Sequence, residues 1–229
     1  MEPTVFLFCG LAIALVYFAW VNKGQSWLRS ALKTLPLLCF AMAAYLGDAP
    51  AFLALALFLS ALGDFALSRD GRKAFLYGLS AFALAHLVYI IVFLNLANTA
   101  VWEAFAIAPV AAVAMLVFAF STELWLAPHT GKLRWPVRVY IGLITLMGLA
   151  SLTLPLEARF YMAEGEVIAF HLPHAMVILG AGLFIISDLI LSIRMFRLQG
   201  DSPRKRIASW GVWLFYIAGQ LLILAGIIA

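Results

Sequence analysis

Long apolar runs separated by short polar stretches cover the whole chain. Most of these runs reach the ~20 residues that a helix needs to cross the hydrocarbon core of a bilayer. The strict alternation that is typical of membrane strands is absent. The pattern predicts an all-α bundle of eight transmembrane helices in a single transmembrane domain, residues 1–229. The predicted helices are Thr4–Val21, Leu32–Leu46, Ala51–Ser68, Phe75–Leu94, Trp102–Phe120, Pro136–Leu154, Pro173–Ile193 and Ile207–Ile228.

Composition supports a membrane location. Hydrophobic residues make up 66% of the chain and charged residues only 11%, whereas a soluble domain is about 25% charged. A water-soluble fold of this size cannot bury so much apolar surface, so the chain is predicted to be an integral membrane protein.

Basic residues predict the orientation of the bundle. Every Lys and Arg except Arg159 falls in or beside the odd-numbered connections between the predicted helices. Because cytoplasmic loops carry the excess of Lys and Arg, these connections are predicted to be cytoplasmic, with both termini outside. The short loops favour a bacterial inner membrane.

Two aspartates interrupt the apolar pattern, and an ionisable group inside a membrane helix is by default a functional candidate. The segment Asp64-Phe-Ala-Leu-Ser68 resembles Asp188-Leu-Ile-Leu-Ser192, four predicted helices later, which suggests a parallel four-plus-four repeat. At 1.5 Å per residue, Asp64 lies about 6 Å and Asp188 about 9 Å from the inner ends of their helices. If the two helices are neighbours, the carboxyl groups share one cavity.

Other polar residues lie within the predicted helices. His86, Tyr140 and Gln220 are candidates for a site, and an ordinary packing or hydrogen-bonding role remains open for each. His171 and His174 lie near acidic residues in an outer loop, at 164 and 166. Pro173 interrupts that histidine pair, so no metal site is predicted. The chain lacks the GxSxG, P-loop, HExxH and GxGxxG motifs.

The polar residues and their spacing resemble those of the YhhN-like, lysoplasmalogenase family of membrane proteins. The resemblance rests on Leu-Gly-Asp-x-x-Leu at 62–67, Phe75-x-x-Gly78, Phe82-x-x-x-His86-x-x-Tyr89, Tyr140 with Met147, the segment from Gly180 to Leu191 that contains Asp188, and Tyr216-x-x-x-Gln220.

The resemblance implies hydrolysis of the vinyl ether bond of lysoplasmalogens. The products are a fatty aldehyde and glycerophosphoethanolamine or glycerophosphocholine, and no cofactor or metal is expected. The expected partners are a lysophospholipid substrate and the lipid bilayer, without nucleic acid, and the oligomeric state is left open.

This chemistry suits a pair of carboxyl groups. A vinyl ether yields to acid through an oxocarbenium ion, so the enzyme needs a proton donor and a base for water, as glycosidases do. Carboxyl groups close together in a site of low dielectric constant share protons, with one acid and one ionised. Asp64 and Asp188 are the predicted acid/base pair, with their roles unassigned, and His86 is a third catalytic candidate. The candidates for substrate binding are Lys33, Tyr89, Tyr140, Arg138, Gln220 and Ser187.

Two other functions remain open on the residues alone. A proton-coupled transporter or channel also uses buried Asp and His residues. A lipid-binding protein without catalytic activity would hold the same aspartates in a structural network.

Overall fold

The computed structural model describes residues 2–47, 49–162, 165–198, 200 and 202–229, with the backbone alone for 158–162 and 165–169. Within these residues the chain forms eight long helices and one short helix, α5. They are α1 (Pro3–Trp20), α2 (Trp27–Leu46), α3 (Ala51–Leu67), α4 (Arg72–Ala97), α5 (Ala104–Ile107), α6 (Pro109–Thr130), α7 (Arg134–Ser151), α8 (Leu172–Phe196) and α9 (Pro203–Ile228).

Local capping chemistry decides where several helices begin. The hydroxyl of Ser26 accepts a hydrogen bond from the backbone N–H of Arg29 at 3.1 Å, so α2 begins before the predicted Leu32. Proline occupies the first turn of α6, where its missing N–H costs nothing. The predicted fifth helix, from Trp102, therefore begins only at Pro109, after a 3₁₀ turn at Val101–Glu103 and the short α5.

Five helical stretches of the described residues are long and apolar enough to cross a membrane. They are Pro3–Trp20, Arg72–Ala97, Pro109–Ser151, Leu172–Phe196 and Pro203–Ile228, and Ala51–Leu67 is a shorter apolar helix. The stretch Pro109–Ser151 contains both α6 and α7, which are joined by a 3₁₀ turn at Gly131–Leu133 and pack against each other. The expectation of an integral membrane protein is thus supported.

A β-hairpin occupies the connection between α7 and α8, where the sequence predicted only a loop. Strand β1 (Glu157–Met162) pairs antiparallel with β2 (Gly165–Phe170). At its base the backbone N–H of His171 donates to the carbonyl of Leu156 at 2.8 Å. His171 and His174 follow, with ring centroids 3.8 Å apart. Of the nearby acidic residues, Glu164 lies outside the described residues, and the side chain of Glu166 is not described.

Helix packing brings the two halves of the chain together around one core. Helices α1 to α4 pack in sequence, α8 packs along α9, and α4 contacts α7. Gly180 of α8 and Gly219 of α9 allow a close approach, because a Cβ atom at Gly180 would lie 2.7 Å from the carbonyl oxygen of Gly219. The indole of Trp213 donates to the carbonyl of Ala14 at 3.0 Å, which ties α9 to α1. The contacts of α9 with α1 and α2 place it against the first half of the bundle.

Candidate active site

A polar cavity of about 450 Å³ lies at the end of the bundle that carries the basic connections. The first turns of α2 and α4, the connection that follows α3 and the last turns of α8 line it, and so do both aspartates, Asp64 from α3 and Asp188 from α8. The structure therefore brings the two carboxyl groups to one cavity, although α3 packs chiefly on α2 and α4, and α8 on α9.

Asp64 is held by partners on both of its oxygens. Its side chain is almost fully buried. The ammonium group of Lys33, in the second turn of α2, lies 3.0 Å from Oδ1, and the hydroxyl of Tyr216 on α9 donates to Oδ2 at 2.7 Å. A buried charge is tolerated when it is paired and hydrogen-bonded, and Lys33 and Tyr216 supply a cation and a hydrogen-bond donor to this carboxyl group.

Asp188 lies in a different local environment. It is half-buried, and the hydroxyl of Tyr140 on α7 donates to its Oδ2. Among the described residues, no basic group lies within ion-pair distance of it. The neighbouring Ser187 donates to the carbonyl of Val212 at 2.9 Å, which fixes this turn of α8 against α9. The two carboxyl groups are therefore inequivalent, because only Asp64 contacts a cation.

A second, smaller cavity of about 80 Å³ lies among α4, α6, α7 and α8, and its walls are almost entirely apolar. Phe82, Met115, Ala119 and Ile144 are among its lining residues. Asp188 lines both this apolar cavity and the polar cavity. The carboxyl group of Asp188 thus stands where a polar compartment and an apolar compartment meet.

An aromatic cluster, formed by Phe82, His86, Tyr140, Phe184 and Tyr216, connects the two anchoring tyrosines. The ring of Phe184 lies 5.3 Å from that of Tyr216 and 4.9 Å from that of His86, and the ring of His86 lies 5.2 Å from that of Tyr140, all edge to face. Such pairs favour fixed ring orientations. The cluster therefore sets the positions of both hydroxyl groups that donate to the aspartates.

His86 itself does not reach either aspartate. It is fully buried, and neither ring nitrogen has a hydrogen-bond partner among the described residues. The carbonyl of Phe82, one turn earlier, is close to the ring without meeting hydrogen-bond geometry. Its contact with Tyr140 makes His86 a candidate positioning residue, because it can act on Asp188 only through that tyrosine.

Three of the predicted substrate-binding residues lie away from the cavities. The hydroxyl of Tyr89 donates to Oε1 of Gln220, whose amide donates to Ser60 at 3.2 Å, and all three are buried. Arg138 forms an ion pair with Glu123 and lies over the ring of Trp135. Of the other predicted residues, Lys33 and Ser187 line the polar cavity and Tyr140 lines the apolar one.

Sequence reasoning did not select Tyr216, Arg29 or Arg194 as site residues. Tyr216 lies one helical turn before Gln220, so the i, i+4 spacing put it on the face of α9 that carries the polar residue. The two arginines were assigned only to topology. Arg29 and Arg194 both line the polar cavity.

Comparison with known proteins places this arrangement in a family. The model of the YhhN family matches residues 28–227. The chain is 34% identical to a lysoplasmalogenase of Mycobacterium tuberculosis over 209 residues, which cover 89% of this chain and 71% of the relative.

More distant relatives match over a similar length. The identity to the human lysoplasmalogenase TMEM86A is 28% over 226 residues, 93% of this chain and 84% of the relative. The identity to an uncharacterized membrane protein YhhN of Escherichia coli O157:H7 is 28% over 220 residues, 92% of this chain and 95% of the relative. No solved structure matches the chain. The extent of the family match and the similarity to the mycobacterial relative lead to one conclusion: the chain belongs to the YhhN family of membrane proteins.

Proposed function

We propose that this protein is a membrane hydrolase that cleaves the vinyl ether bond of lysoplasmalogens. The observation that carries the proposal is the position of Asp188, which lines an apolar cavity and also the polar cavity that contains Asp64. A single-chain lipid likewise consists of an apolar chain and a polar head group, and its alkenyl bond lies at the boundary between them. Relatives that bear the name lysoplasmalogenase support the proposal.

Asp188 is the proton donor in this proposal. A vinyl ether is activated by protonation of the alkenyl carbon that does not carry the ether oxygen, which leaves an oxocarbenium ion at the carbon that does. Within the described part of the chain no cation contacts Asp188, which borders an apolar cavity. A carboxyl group in such surroundings is suited to hold a proton, and the alkenyl group is placed beside it.

Asp64 is the base. In this proposal it is ionised and paired with Lys33, and its negative charge stabilises the nearby oxocarbenium ion. Water adds to this ion, and Asp64 takes the proton that the water loses, giving a hemiacetal. In the collapse of the hemiacetal, the carboxylate of Asp188 takes the hydroxyl proton while Asp64 returns its proton to the departing glycerol oxygen. One water is consumed, and both side chains return to their starting states.

Tyr140, Tyr216 and His86 help to position the aspartates. Tyr140 and Tyr216 each donate to one carboxyl oxygen, so each fixes which oxygen faces the substrate. His86, packed against Tyr140, limits the rotation of that ring. These are positioning roles, since none of the three residues needs to exchange a proton with the substrate.

The placement in the membrane is part of the proposal. Eight helices cross the bilayer, the basic connections face the cytoplasm, and both termini lie outside, in a bacterial inner membrane. The clustering of the basic connections at the polar cavity supports this orientation. The parallel repeat is supported by the packing of α3 on α4 and of α8 on α9, since each pair supplies one aspartate.

The test is the release of aldehyde by purified protein in detergent or nanodiscs. We expect an alkenyl lysophospholipid to yield free fatty aldehyde, while the 1-acyl and 1-alkyl analogues of equal chain length remain intact, because neither has a carbon–carbon double bond next to the linking oxygen. Binding of all three lipids without aldehyde would favour a lipid-binding protein. Proton flux across proteoliposomes without aldehyde would favour a transporter.

The apolar cavity is expected to hold the alkenyl chain. Ala119 of α6 lines this cavity, whereas Ala114 of the same helix is exposed and lines neither cavity. Ala119→Phe fills space that a chain would occupy, so we expect KM for long-chain substrates to rise about tenfold, because about two buried methylene groups of ~0.8 kcal/mol each lose their contacts. KM for short-chain substrates should change less. Ala114→Phe is the matched control, and equal effects of both variants at every chain length would argue against this chain site.

A further inference from the structure

The polar cavity carries more positive charge than its own carboxylates neutralise. Its basic lining residues are Arg29, Lys33, Arg69, Arg72 and Arg194, and its acidic ones are Asp64, Asp70 and Asp188. Lys33 is paired with Asp64. Among the described residues, none of the four arginines lies within ion-pair distance of a carboxylate. The excess charge favours an anionic ligand.

Arg29 of α2 and Arg194 of α8 both line the cavity. Arg29 is half-buried, and its guanidinium group donates long hydrogen bonds to the carbonyls of Val21 at 3.4 Å and Ser68 at 3.5 Å. Its Nε is buried and has no hydrogen-bond partner within the part of the chain that the structure describes. Nε of Arg194 donates to Ser209 at 2.7 Å. Both guanidinium groups bring positive charge to one cavity, and an anion bound between them would neutralise that charge.

A third guanidinium group that lines the same cavity is held in place by an aromatic ring. Arg69 is stacked on the ring of Trp27, with 3.6 Å between Cζ and the ring centroid. One of its terminal nitrogens is buried, with no hydrogen-bond partner among the residues that the structure describes. Stacking fixes the plane of the guanidinium group, so less side-chain freedom is lost when it binds a ligand. Planar arginine groups match phosphate oxygens in a bidentate manner.

We infer that Arg29, Arg69 and Arg194 form a binding site for the phosphodiester group of a single-chain lipid. The inference rests on the proposed function for the identity of the lipid and adds the residues that select its head group. Arg194 follows Asp188 by six positions on α8, a rise of about 9 Å, which is on the order of the reach from an ether oxygen through glycerol to a phosphate. A phosphate at this site would place the alkenyl bond near Asp188.

Binding of lipids that are not cleaved tests the inference separately from hydrolysis. The probes are a 1-O-alkyl lysophosphatidylethanolamine and the 1-O-alkylglycerol of equal chain length, which lacks the phosphate, titrated into the full-length protein with tryptophan fluorescence as the readout. We expect Arg29→Gln and Arg194→Gln each to weaken binding of the phospholipid roughly 10- to 100-fold, since each removes a hydrogen bond to a charged group. Binding of the alkylglycerol should be unchanged, which also shows that the variants are folded.

Matched variants sharpen the result. Arg204→Gln removes an exposed arginine at the same end of the bundle, outside both cavities, and should leave both affinities unchanged. Arg194→Lys keeps the charge and should restore part of the lost phospholipid affinity. Equal affinity of the parent protein for the two lipids would contradict the inference. An equal loss of affinity for both lipids in the Gln and Lys variants would also contradict it. So would a loss of phospholipid affinity that occurs only in a further variant, Arg138→Gln.

A soluble probe distinguishes a lipid site from a site for a free phosphate ester. We expect glycerol 3-phosphate to displace the alkyl phospholipid only at concentrations at least a hundredfold above those of the lipid, because it lacks the apolar chain. Displacement at equal concentrations would overturn the lipid assignment. None of these measurements requires aldehyde release, so failure of the phosphate site and failure of the proposed hydrolysis give different results.

Discussion

Asp188→Asn is expected to lower the rate of aldehyde release by roughly 10²–10⁴-fold, the usual contribution of a positioned acid or base. The amide cannot deliver a proton to the alkenyl carbon, but its oxygen can still accept the hydrogen bond from Tyr140. The fold and the affinity for an alkyl lysophospholipid should therefore be retained. The measurement is a comparison of kcat for an alkenyl lysophospholipid with the Kd for its alkyl analogue.

Glu103→Gln serves as the control for this variant. It makes the same carboxylate-to-amide change at a residue outside both cavities, and it should leave kcat and Kd at the parental values. A parental kcat for Asp188→Asn would remove the proton donor from the mechanism. A loss of kcat matched by an equal loss of lipid affinity would identify Asp188 as a binding residue instead.

Asp64→Asn is expected to cause a loss of similar size, roughly 10²–10⁴-fold, by a different route. Asp188 can still protonate the alkenyl carbon in this variant, but no base takes the proton from the attacking water. The oxocarbenium ion then returns to the alkenyl lipid by losing a proton. In D₂O the recovered substrate should therefore contain deuterium at the alkenyl carbon, whereas substrate recovered from Asp188→Asn should contain none. Mass spectrometry of the recovered lipid measures both.

The deuterium pattern decides the assignment of roles. Deuterium in the substrate recovered from Asp188→Asn, and none in that recovered from Asp64→Asn, would exchange the acid and the base. The ion pair needs its own control, because Asp64→Asn leaves Lys33 without its partner, and an unpaired charge at a buried site is destabilising. The double variant Lys33→Met/Asp64→Asn removes both charges, and it should regain thermal stability without regaining turnover.

Several features of the site follow from local sequence alone. Asp64 and Asp188 stand out because each interrupts an apolar helix, and hydropathy is a property of neighbouring residues that needs no knowledge of the fold. The start of α6 at Pro109 shows where local reasoning failed. The apolar run from Trp102 continues through Pro109, so composition alone did not show that a helix ends inside it. In the structure the break between α5 and α6 lies at Ala108, whose φ of −137° and ψ of 62° are not helical.

The amino-acid sequence by itself determined that the chain is a helical membrane protein with two acidic residues inside its helices, because length and hydropathy decide membrane insertion one segment at a time. Only the tertiary structure decided which side chains meet. Lys33 and Tyr216 converge on Asp64, Tyr140 on Asp188, and Arg138 pairs with Glu123 away from both cavities. The physical reason is that these helices are apolar on nearly every side, so no polar face fixes the rotation of a helix toward its neighbours. That rotation is set instead by close packing, as where Gly180 meets Gly219.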